Sequence, residues 1–172
     1  GLLVIATSIL LYLFQGANRI RLVEMVPVKG GFPREQPVPR QLPSRRVTGL
    51  FPYGSLFYAA AKTLEENLPL AEEARQAVVI FLLRGYDEFG STMIGVLDRY
   101  ARTVQGNGGK VMLAGIGEGL YAQLERTGML ARLGRVRRQA GEHLVVRGAL
   151  GVGPAIALLG LGVGVEDDQS FV

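Results

Sequence analysis

The unbroken apolar run Val78-Val-Ile-Phe-Leu-Leu83 constrains this chain more than any other segment. It is too short for a core helix and rich in β-branched side chains, as a parallel strand covered on both faces requires. Helical stripes flank it on both sides. Ahead of it, Phe57, Ala60, Ala61, Leu64 and Leu68 recur at helical spacing, with Lys62, Glu65 and Glu66 on the other face and Pro69 as a stop. Behind it, Ile94, Leu97, Ala101 and Val104 form a second stripe over about 91–105, where Asp98 and Arg102 pair on the exposed side. Val47–Phe51 and Val111–Ala114 read as further strands. The first leads through the turn Pro52-Tyr53-Gly54 to Ser55 as a helix cap, and the other is entered through Gly106-Asn107-Gly108-Gly109. A third helix, about 118–127, presents Leu120, Tyr121 and Leu124 and stops at Gly128. This alternation with short connections predicts an α/β fold: a mainly parallel sheet, right-handed crossovers, and helices packed largely on one side.

The two ends of the chain have different chemistry. Leu2–Phe14 is apolar except for Thr7 and Ser8, and no positive residue precedes it as one would in a secretory signal. A full membrane span needs about 20 apolar residues, so the run is too short to be a complete one. The basic residues follow it, at Arg19, Arg21, Lys29, Arg34, Arg40, Arg45 and Arg46. An apolar helix leading into a basic flank reads as the truncated end of a transmembrane helix at its cytoplasmic exit, over residues 1–24. Residues 25–46, with Pro27, Pro33, Pro37, Pro39 and Pro43, read as an extended linker holding at most one short edge strand. Its arginines suit either contact with anionic lipid headgroups or simple solvation. The folded domain is expected over 47–134. Residues 135–172 read as a divergent glycine-rich tail, in which Gly148–Val165 is nearly all apolar but contains Pro154. That composition favours disorder or a loosely packed terminal helix over a membrane segment.

The chain offers little catalytic machinery. There is no cysteine and one histidine, His143, which rules out disulfides and thiolate metal sites and leaves little room for a histidine-based zinc site or a serine–histidine triad. Gly115-Ile-Gly-Glu-Gly-Leu120 follows a strand and opens a helix, but a dinucleotide fingerprint needs glycine where Leu120 stands. No catalytic residue, metal ligand or cofactor is expected, and the chain is not read as an enzyme. The remaining candidate is the start of the second helix. Ser91, after Gly90 and before Thr92, falls where a hydroxyl either caps the helix or carries a bound or covalent anion favoured by the helix N-terminus. Asp87 and Glu88 stand just ahead of it in the loop.

Several stretches together resemble a known family. Leu42-Pro-Ser44 is followed by Val47-Thr-Gly-Leu-Phe-Pro-Tyr-Gly-Ser-Leu-Phe-Tyr-Ala-Ala-Ala-Lys-Thr-Leu-Glu-Glu-Asn-Leu-Pro69 and by Val78-Val-Ile-Phe-Leu-Leu-Arg-Gly85. Gly90-Ser-Thr-Met-Ile94, Gly109-Lys-Val-Met-Leu-Ala-Gly115 and Leu124-Glu-Arg-Thr-Gly-Met-Leu130 continue the pattern. In order and spacing they resemble the STAS domain of bacterial SulP anion transporters, over roughly 1–134. The resemblance implies a cytoplasmic regulatory or interaction module of a secondary transporter for sulfate or a related inorganic anion, at the inner membrane. The implied partners are its own transmembrane portion, anionic lipid, and a protein partner or second copy; no nucleic acid is expected. The alternative is a soluble STAS switch of the anti-sigma-factor-antagonist kind. In such relatives a serine at this helix start, usually after an aspartate, is phosphorylated. Ser91 occupies the serine slot and Gly90 the aspartate slot, so Asp87 and Glu88 would have to supply the acidic character.

Overall fold

The structure, a computed structural model, describes residues 1–17, 20–26, 28, 33–54, 58–133, 136–139 and 143–146. Helix α1 (Leu2–Ala17) is followed by strands β1 (Arg21–Val26), β2 (Arg34–Pro37) and β3 (Val47–Tyr53). Then come α2 (Tyr58–Asn67), β4 (Val78–Leu82), α3 (Ser91–Gly106), β5 (Lys110–Ala114), α4 (Glu118–Arg126) and the short α5 (Met129–Arg132). A two-stranded antiparallel unit, β6 (Val136–Gln139) with β7 (His143–Val146), ends the described chain.

The main sheet has the order β2-β1-β3-β4-β5. β3, β4 and β5 are parallel, joined by α2 and α3 as crossovers, and β1 is antiparallel to both its neighbours. Strand alternation divides the sheet's two faces. Leu50, Val79, Phe81, Val111 and Leu113 share one core with Leu64 of α2, Met93, Leu97 and Val104 of α3, and Leu120 and Leu124 of α4. The helices therefore cover one face, as the sequence pattern requires. On the other face Ile80, Leu82, Met112 and Ala114 form a smaller cluster with Met25, Val47, Phe51 and Val78.

Several expectations are revised. β1 straddles the anticipated boundary between helix exit and linker, so residues 21–26 and 34–37 belong to the sheet and are no simple tether. The obstacle to reading this was Glu24. It stands on the alternation of Leu22 and Val26 but is 1% exposed, because Arg46 Nη2 and Gln36 Nε2 donate to its carboxylate at 2.7 and 2.6 Å. β2 is the short edge strand, where Pro37 is tolerated. β3 runs through Pro52 to Tyr53 where a turn was expected; Pro52 lies beyond Leu50, the last β3 residue paired with β4.

In α3 the core stripe begins at Met93 rather than Ile94, which is half-buried, and it includes Tyr100. The Tyr100 hydroxyl donates to the Pro69 carbonyl at 3.0 Å, and its ring meets Phe81 edge-on at 6.1 Å. Tyr121, expected to be inward, is exposed. Gly128 stops α4 in the left-handed conformation, φ 70°. The β6–β7 pair occupies part of the anticipated tail. The Ser55 cap and the Gly148–Val165 segment lie outside the described residues.

α1 is helical and uncovered. Leu2, Leu3, Val4, Ile5, Ile9, Leu10, Leu11 and Tyr12 are all more than half exposed. Among the described residues, no helix is long and apolar enough to cross a membrane.

Candidate functional site

Parallel strands deliver the loops that follow them to one rim of a sheet, and this is where open α/β sheets place their binding residues. Here that rim comprises Tyr53 at the end of β3 with Gly54 after it, residues 83–90 after β4, and residues 115–117 after β5. α3 and α4 both start on it, so all five candidate residues, Asp87, Glu88, Gly90, Ser91 and Thr92, come together on one exposed loop–helix junction.

Ser91 is not the helix cap. Gly90 takes the capping position in extended conformation, and its carbonyl accepts the Ile94 N–H at 3.1 Å with no side-chain cap bond. Ser91 is therefore the first helical residue, and its side chain is exposed. It borders a shallow cleft of about 280 Å³ with Ile94, Gly95, Asp98, Thr127 and Met129. Asp98 in that cleft is held by Arg102, with Nη2 at 2.9 Å. An exposed hydroxyl at a helix N-terminus is placed where an added phosphate would gain from the helix dipole.

The loop leading to Ser91 is fixed at three points. Tyr86 directs its hydroxyl at the carbonyls of Pro52 and Gly54, at 3.0 and 2.7 Å, tying it to the end of β3. Burial pushes the Tyr86 phenol upward, which keeps it a donor. Phe89 is buried beside Tyr86, ring centroids 6.0 Å apart. Both backbone polar groups of Phe89 are taken by Gln123 of α4: the N–H donates to Oε1 at 2.8 Å, and Nε2 donates to the carbonyl at 2.6 Å.

The glycines of residues 115–119 find their purpose in this loop. Gly115 holds φ 74°, in the left-handed region. A Cβ on Gly117 would lie 3.2 Å from Asp87 Oδ1, and one on Gly119 only 2.9 Å from the Asp87 carbonyl oxygen. They allow the two loops to touch. The spacing that fails as a nucleotide fingerprint serves loop-on-loop packing instead, and Asp87 lies against Gly117. Tyr86, Phe89 and Gln123 were not singled out from the sequence. An aromatic side chain between Glu88 and Gly90 in the loop was the available signal for Phe89; nothing local marks Gln123.

Among the described residues, no three His, Cys, Asp or Glu side chains gather as metal ligands would. The rim presents the exposed Ser91 hydroxyl in a cleft shared with Asp98, behind a loop that carries the exposed Asp87 and Glu88.

The profile of the STAS domain family matches residues 44–142. No curated protein and no solved structure matches this chain. The family carries regulatory and interaction functions. With more than half of its length matched and with helices on one face of a mixed sheet whose β3, β4 and β5 are parallel, the chain belongs to the STAS domain family.

Proposed function

We propose that this chain is the regulatory end of a membrane anion transporter of the SulP kind, with its STAS domain on the cytoplasmic side of the inner membrane. The observation that carries the reading is α1. Its apolar side chains are exposed all around the helix rather than along one stripe, and such a helix is stable inside lipid or among other apolar helices. The STAS domain binds and regulates without touching the transported anion. Sulfate or a related inorganic anion is the substrate implied by the resemblance of roughly residues 1–134 to that group.

The coding sequence upstream of Gly1 tests this directly. A series of apolar spans, each about 20 residues long, supports the transporter; a start codon immediately ahead of Gly1 sinks it. Given such a transporter, Ser91→Glu in the full-length protein changes the anion uptake rate. Unchanged uptake and unchanged partner binding remove Ser91 from the regulatory role.

A soluble STAS switch is the second reading, and the exposure of Ser91 at the start of α3 favours it. Incubating the chain with kinase and ATP separates the two. Stoichiometric phosphate on Ser91 together with a start codon at the domain supports the switch.

A further inference from the structure

The register of β1 reveals which rim of the sheet α1 reaches. β1 is antiparallel to β3, with Arg21 opposite Tyr53 and Met25 opposite Gly49. The strand that follows α1 therefore starts level with the carboxyl end of β3, on the rim that carries Ser91, and runs away from it. Ile20, buried in the main core, fixes that starting point. From Ala17 at the end of α1 to Ile20 there are only three peptide steps, at most ~11 Å of chain. Whatever its tilt, α1 ends beside the Ser91 rim.

The opposite rim, at the amino ends of β3, β4 and β5, carries a different set of charges. Arg45, Arg75 and Lys110 are exposed there. The Arg45 N–H donates to the Arg75 carbonyl at 2.9 Å and the Lys110 N–H to the Ala77 carbonyl at 2.8 Å, so the three segments are stitched together. The six steps along β3 separate the rims by about 20 Å. That exceeds the Debye length of about 8 Å at physiological ionic strength. The Ser91 rim carries exposed Arg84, Asp87, Glu88 and Glu118.

We infer that the rim bearing Ser91 is the face this domain turns toward the bilayer, and that the rim bearing Arg45 and Arg75 points away from it. The inference rests on the reading of α1 as a bilayer-embedded helix. It withdraws Arg45 and Arg46 from the lipid contact suggested by their position in the sequence and leaves Arg21 at the proximal rim. It also gives a charge added at Ser91 a place to act: it would join Asp87, Glu88 and Glu118 within screening distance of the headgroups and push the domain away from an anionic surface.

The chain contains no cysteine, so single cysteines can report this arrangement. Thr92→Cys and Arg75→Cys, each in the full chain, carry a fluorophore and are mixed with phosphatidylcholine vesicles containing a headgroup nitroxide lipid. Circular dichroism establishes that both variants fold. The fluorophore at position 92 is expected to be quenched several-fold more than the one at position 75. Equal or reversed quenching in chain bound to vesicles overturns the orientation while leaving α1 in the bilayer. If neither variant binds vesicles, the reading of α1 fails and the orientation fails with it.

Discussion

Gln123 holds Phe89 by both of its backbone polar groups, with its amide oxygen 2.8 Å from the Phe89 nitrogen and its amide nitrogen 2.6 Å from the Phe89 oxygen. One side chain of α4 thus takes the place of a strand partner for the residue two before Ser91. Gln123→Ala leaves both groups without a protein partner in a part-buried setting, at a cost of about 1–3 kcal/mol. Urea denaturation reads the loss. Hydrogen exchange should quicken at Phe89 more than at β4; unchanged exchange there contradicts a pinned loop.

Gly119 stands where a side chain has no room, with the Asp87 carbonyl oxygen 2.9 Å from the position of a Cβ. Gly119→Ala forces the start of α4 away from the loop that holds Asp87 and destabilises by about 1–3 kcal/mol, as overpacking does. Gly90→Ala, with nothing within 4 Å of its Cβ, is the control and changes stability far less. Equal melting temperatures for the two variants would show that the loops do not pack as described.

Leu97 is 2% exposed on the sheet-facing side of α3. Leu97→Asp places an unpaired charge in the main core at a cost of several kcal/mol, enough to unfold a domain of ordinary stability. A cooperative melt near that of the wild type would refute the helix register.

Glu24 is almost fully buried, and its partner Arg46 is about half exposed, with 2.7 Å between them. Arg46→Met leaves a buried carboxylate with only Gln36, and because Arg46 is half solvated the loss falls at or below the low end of about 3–5 kcal/mol. Replacing Glu24 and Arg46 together by leucine and methionine recovers much of it. If the double variant is as unstable as the single one, the pair is not what anchors β1.

Tyr100 supplies a dependence on alkaline pH. Burial, and then the charge of Glu72, raise its phenol pKa well above the ordinary value near 10. A raised pKa means that the folded state keeps its proton while the unfolded chain gives it up. The stabilisation is present in full below pH ~10 and is lost as pH climbs from there toward the folded value. Tyr100→Phe flattens the slope of stability against pH in that range, and an unchanged slope excludes Tyr100 as its source.

The parallel core was legible because each element carries its own period: Val78–Leu82 is apolar throughout, and α3 and α4 show stripes. β1 was hidden because a charged Glu24 occupies a core position, and only its partners at positions 36 and 46 make that tolerable. β2 was hidden among prolines, which an edge strand accepts. At the site, the place of Ser91 at the start of α3 could be read, but its role as a cap could not, since the loop geometry gives that position to Gly90. The hold of Gln123 on Phe89 spans 34 residues and leaves no local trace.

The account depends most on α1, whose apolar side chains have no cover among the described residues. Flotation of the full chain on a liposome gradient tests it, beside a variant with Leu3, Ile5, Ile9 and Leu10 replaced by glutamine. The account predicts that the unaltered chain rises with phosphatidylcholine vesicles, in high salt as in low, and that the variant stays at the bottom with its STAS domain folded. If both remain at the bottom, or both rise alike, α1 does not enter the bilayer and the transporter reading is contradicted.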